Sequence, residues 1–162
     1  MINNLNRIFI IQLLSLFVAF HSYANEVIVP VDISPQYEWT EYITINGIWI
    51  DYKFQECNNA DVRNQVLVLF RYSNLTNEAQ ELSWKTKIFM DNECVNCEKL
   101  ENTENNHTLV LMPNEVREGD GTSKQDKRMY IFSNFIDLVP GMSGRKLTDF
   151  EIVDLNVIQL NN

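Results

Sequence analysis

The segment Gln65–Met90, QVLVLFRYSNLTNEAQELSWKTKIFM, leaves this chain little choice of fold. Val66 to Tyr72 is a run of β-branched, aliphatic and aromatic residues. Successive side chains of a strand point to opposite faces, so Val66, Val68, Phe70 and Tyr72 share one face and Leu67, Leu69 and Arg71 the other. Both faces are apolar up to Arg71, which predicts a strand buried on both sides. Ser73-Asn74-Leu75-Thr76-Asn77-Glu78 is rich in side chains that bond their own backbone in turns. Beyond it, Leu82, Trp84, Thr86 and Ile88 alternate with Ser83, Lys85 and Lys87. The period is two, which excludes a helix and predicts a central hairpin with one wet face.

The first 24 residues read as a separate piece. A polar, singly basic start is followed by the apolar run Ile8–Phe20 and then by Ser22-Tyr23-Ala24. That three-part pattern is a secretory signal peptide, with cleavage expected after Ala24. The run is shorter than the ~20 residues needed to cross a bilayer, so no stable membrane insertion of the mature chain is expected. Residues 25–162 then form a single exported domain, placed in the periplasm, at the cell surface or outside the cell. The whole chain carries a net charge of −9, and cleavage removes Arg7. An acidic chain lacks the basic face that nucleic acid or anionic lipid requires.

Along that domain the pattern predicts about seven strands. Val27 to Ile33 contains Pro30 and suits a sheet edge. Glu41–Phe54 reads as one strand with a turn or bulge at Asn46-Gly47; past that point Ile48, Ile50, Tyr52 and Phe54 face one way and Trp49, Asp51 and Lys53 the other. The central pair, His107–Met112, Met129–Ile136 and Leu147–Leu160 complete the set. In the last strand the apolar phase moves from Phe150 and Ile152 to Val153, Leu155 and Val157, which predicts a bulge. Asp91–Asn106 is a long acidic loop, and Pro113–Arg128, around Glu118-Gly119-Asp120-Gly121, reads as the most mobile one. Turn signals at short spacing and few helix signals predict an all-β, antiparallel sandwich, with a jelly roll or small barrel as the alternative closure.

The strand running into Asn74-Leu75-Thr76 and the returning strand with Trp84 resemble an immunoglobulin-like or fibronectin-like β-sandwich of a secreted bacterial protein. The inter-sheet cysteine pair of antibody domains is missing from the central strands. In a eukaryotic exported chain, Asn74-Leu75-Thr76 and Asn106-His107-Thr108 would read as glycosylation acceptors.

Three cysteines remain, Cys57, Cys94 and Cys97. In an oxidising compartment they predict one disulfide and one odd thiol. A bridge from Cys57 to Cys94 or Cys97 would staple two loops, and Cys94–Cys97 is the other choice. Cys94-Val95-Asn96-Cys97 also has redox-motif spacing, but Glu93 and Glu98 would raise a thiol pKa and no amphipathic helix follows. A zinc set of Cys57, Cys94, Cys97 and His107 has only one correctly spaced half. No metal or cofactor is therefore expected. His107, the one histidine beyond the leader, reads as a surface residue, and Glu115, Glu118, Asp120, Asp126, Asp91 and Glu93 read as solvated loop acids. Tyr37, Trp39 and Tyr42 form a possible recognition cluster with Trp39 exposed, whereas Trp84 and Trp49 read as packing.

These readings favour a non-enzymatic binding or accessory domain. It would present loops 91–106 and 113–128, or a sheet edge, to a protein or glycan. The rivals are a secreted hydrolase or thiol redox enzyme, using loop carboxylates or the Cys94/Cys97 pair, and a structural part of an envelope or adhesin assembly.

Overall fold

A computed structural model describes residues 36–58, 64–102, 105–122 and 124–160. The expected leader, the strand around Pro30 and part of the loop after Cys57 lie outside the described residues. Among the described residues nine strands follow one another. They are β1 (Thr40–Ile45), β2 (Ile48–Cys57), β3 (Gln65–Asn74), β4 (Gln80–Met90), β5 (Glu93–Cys94), β6 (Asn106–Leu111), β7 (Val116–Glu118), β8 (Tyr130–Phe135) and β9 (Leu147–Gln159). One sheet runs β1-β2-β3, with β7 and β8 sharing the far edge of β3. The other runs β9-β4, with β6 and β5 sharing the far edge of β4. All pairings are antiparallel. The fold is an all-β sandwich of two sheets.

Glu41–Phe54 is two strands rather than one bent strand. Asn46 and Gly47 both have positive φ, 47° and 80°, and Ile45 pairs with Ile48 across the turn. A two-residue turn with both φ positive matches strand twist, and Asn-Gly tolerates it best.

The expected central hairpin does not form either. β3 and β4 are adjacent in sequence but belong to opposite sheets. The connection is an arch held by Asn74, which is 1% exposed. Its Oδ1 accepts from Thr76 N (3.0 Å) and Thr76 Oγ1 (2.8 Å). Its Nδ2 donates to Glu78 O (2.8 Å) and Met112 O (3.0 Å), tying the arch to the turn between β6 and β7. A glycan on Asn74 Nδ2 would displace both of these donations.

The sheets meet over one apolar layer. Ile48, Ile50, Tyr52, Phe54, Val68, Phe70 and Tyr72 face Leu82, Trp84, Leu109, Leu111, Phe150 and Ile152. Phe150 sits among Tyr42, Tyr52 and Phe70 at ring-centroid distances of 5.6, 5.6 and 5.4 Å. The hydroxyl of Tyr42 crosses the layer and accepts from Ile152 N at 3.0 Å. The backbone donor of an edge strand is thus satisfied from inside the sandwich. The phase change in β9 is a bulge: Ser83 pairs with Asn156 and Lys85 with Val153, so Asp154 and Leu155 both stand against Trp84. Asp154 takes the left-handed conformation there, φ 52°.

The other face of the first sheet is also covered. Leu67, Leu69 and Cys57 pack beneath Trp39, Tyr130 and Phe132. Trp39 is therefore partly buried rather than exposed, with Lys53 Nζ 4.7 Å and Arg71 Cζ 4.6 Å from its ring centroid. Arg71 in turn pairs with the buried Asp51 at 2.6 Å. The 113–128 segment is built into the fold as well. β7 pairs with β3, Gly119 N donates to Phe70 O (2.9 Å), and a Cβ on Gly121 would lie 2.7 Å from Cys57 Sγ.

Candidate functional site

The two sides of the sandwich differ. Along β1 and β9 Tyr42 bridges the sheets. Along the opposite side, β6 and β7 close only the half nearest the Asn74 arch, joined by the turn at 112–115. Arg128 straps the middle, with one guanidinium nitrogen donating to Thr108 O. Below that strap the sheets part, and a cleft of about 430 Å³ opens between β8 and the end of β4.

On β4 its wall follows from strand alternation, and on β8 from consecutive residues at the sheet edge. Phe70 comes from β3, Trp84, Ile88 and Met90 from β4, and Ile131 and Phe132 from β8. β4 outlasts its partners on this side: β6 ends opposite Lys85 and β5 covers only Phe89 and Met90. The side chain of Asn96 fills the gap as a peptide would. Its Nδ2 donates to Thr86 O (2.7 Å) and its Oδ1 accepts from Ile88 N (2.9 Å), while Val95 N donates to Ile88 O (2.9 Å). These bonds satisfy backbone groups of β4 that β6 and β5 leave uncovered. The Cys94–Cys97 disulfide, with Cα atoms 5.7 Å apart, holds the loop that carries Asn96.

The rim is polar. Asn105, His107, Lys127 and Arg128 border the cleft. His107 is half-buried against Trp84, 5.3 Å between centroids, and is not the surface residue expected. Burial and, secondarily, the Arg128 guanidinium push its pKa below the ordinary 6.5, against an opposing pull from Asp126. The shift favours the neutral imidazole. Arg128 is committed to Asp126, its Nε lying 3.0 and 2.9 Å from the two carboxylate oxygens. That pairing holds the Asp126 carboxyl below its usual range. Lys127 is exposed and makes no ion pair among the described residues.

The remaining sequence candidates scatter. Tyr37 is 59% exposed, but Tyr42 is core at 5% and Trp39 is pinned on the outer sheet, so the three form no open platform. Trp84 is core as expected; Trp49, expected to pack, is 37% exposed. Cys57 is a free, buried thiol, pushed up by burial and then by Asp120. It ends β2 on the covered outer face, away from the β4 edge where Cys94 lies, so a staple from Cys57 to either loop cysteine does not form. With Cys94 and Cys97 joined, no group of three potential ligands gathers among the described residues. Besides Asp126, four of the six loop acids have structural partners. Glu115 accepts from Met112 N and Arg117, Asp120 from Thr122 N, and Asp91 and Glu93 both meet Arg145.

Sequence reasoning singled out loops 91–106 and 113–128, and both reach the cleft, through Val95, Asn96 and Asn105 and through Lys127 and Arg128. It missed the cleft itself and the role of Asn96. One signal was available: the β4 pattern extends through Ile88 to Met90, longer than the His107–Met112 partner beside it. No family model, curated protein or solved structure matches this chain.

Proposed function

We propose that this chain is an exported, non-enzymatic binding domain that takes an apolar group into the cleft between β8 and the end of β4. The observation that carries the reading is the cleft's composition. Phe70, Trp84, Ile88, Met90, Val95, Ile131 and Phe132 supply apolar wall, with a few polar side chains at one rim. A volume of about 430 Å³ lies within the range of small-molecule pockets, and such lining is what they share. A glycan would want more hydrogen-bonding wall than this. The lining also favours binding over catalysis. Among the described residues it holds no carboxylate and no cysteine, and the histidine there, His107, faces Trp84 rather than a nucleophile. Strand addition has weaker support. The open edge of β9 is interrupted by the Asp154 bulge and capped at Ile152 by Tyr42.

The test is titration of the ¹⁵N-labelled domain with decan-1-ol, an uncharged apolar probe. Amide shifts should concentrate on Ile88, Val95, Asn96, Ile131 and Phe132 and saturate with a dissociation constant below about 1 mM. Val95→Trp, at a half-exposed lining position, should weaken binding roughly tenfold by occupying the space. Shifts spread over the whole surface, or none at all, would reject the reading.

A further inference from the structure

Resting on that reading, we infer that the ligand is an amphipathic anion: a compact apolar body carrying one carboxylate or similar anionic head, held with the body in the cleft and the head at Lys127. The argument is one of charge. The chain has 22 acidic and 13 basic residues, yet among the described residues the ionisable side chains at this cleft are Lys127, Arg128, His107 and Tyr130, with no carboxylate. Such a reversal of sign at the mouth of an apolar cavity raises the local concentration of anions and repels cations.

The groups at the mouth differ in what they can offer. Arg128 already gives its Nε to both oxygens of Asp126 and another nitrogen to Thr108 O, so its charge is largely answered. It acts as a fixed post between the sheets. His107, whose lowered pKa favours the neutral ring, can donate or accept one hydrogen bond. Lys127 is the remaining cation. It opens the Lys127–Met129 turn directly after Asp126, whose side chain is spent on Arg128 N and the Arg128 guanidinium. Its ammonium therefore has three donors and no partner among the described residues. An anionic head gains a charge-assisted hydrogen bond there that an alcohol cannot match. The apolar body has Phe70, Trp84, Ile88, Met90 and Ile131 to lie against.

The experiment compares three probes with one chain length on the ¹⁵N-labelled domain, decanoate and decylammonium below their micelle concentrations and decan-1-ol below its solubility limit. Decanoate should bind about tenfold tighter than decan-1-ol, with decylammonium the weakest, and the Lys127 and His107 amides should shift with decanoate alone. Lys127→Glu, an exposed substitution that leaves the core untouched, should remove the preference for decanoate over decan-1-ol. Equal affinity for decanoate and decan-1-ol, or tighter binding of decylammonium, overturns the inference while the cleft reading stands. A decanoate preference that survives Lys127→Glu overturns the assignment to Lys127. No saturable shift with any of the three overturns both.

Discussion

Asn74→Ala is the substitution that probes this architecture most directly. Asn74 lies at the point where the chain leaves one sheet for the other, and its amide makes four bonds of 3.0 Å or less. Two are accepted from Thr76 and two are donated, to Glu78 O and Met112 O. A net hydrogen bond is worth ~1 kcal/mol, and a buried group left without a partner costs ~1–3 kcal/mol. Water can reach the Thr76 and Glu78 side of the arch and recover part of this. Glu78 O also keeps a second donor, Thr76 Oγ1 at 3.0 Å. The expected loss is therefore about 3 kcal/mol, a large share of the ~5–15 kcal/mol that holds a domain folded. Urea unfolding followed by circular dichroism reads it. With a slope of ~2 kcal/mol per molar, the midpoint falls by about 1.5 M at unchanged slope. Asn74→Asp keeps the acceptor oxygen but loses both donations and buries a charge, so it should be at least as damaging. A loss below ~1 kcal/mol for Asn74→Ala would refute the claim that this side chain pins the crossover.

Tyr42→Phe keeps the stacked ring but strips the acceptor from Ile152 N, at a cost of ~1–3 kcal/mol, with faster hydrogen exchange at the Ile152 amide as the local readout. Thiol titration should find Cys57 slow to react in the native protein, one thiol after denaturation, and three once the Cys94–Cys97 bridge is reduced; three thiols without reductant would contradict the pairing. The folded-state pKa of His107 lies below the 6.5 of the free side chain, so the unfolded chain takes up this proton first. Stability contributed at this site is therefore full above pH 6.5 and declines as pH falls from there toward the folded value. His107→Gln should flatten that part of the urea-midpoint profile relative to the parent, and a histidine ring titration at or above pH 6.5 by NMR would contradict the reading.

Residue order alone determined the local facts. Alternation assigned the faces of Ile48–Phe54 and Val66–Tyr72, and the phase change at Val153 announced the β9 bulge. It also marked the two loops that border the cleft. These are properties of a few consecutive side chains, and a period of two is visible wherever one face is buried. Choice of partner is different. The Leu82–Ile88 pattern is equally satisfied by lying beside β3 or by facing it across the core, because both arrangements bury the same side chains. Folding chose the second, through Asn74 bonds that reach a carbonyl on the far side of the β6–β7 turn. The cysteine pairing and the cleft below Arg128 both descend from that choice. The cleft depends on how far β4 outlasts β6, which comes from another part of the chain, and no window of consecutive residues contains that length difference.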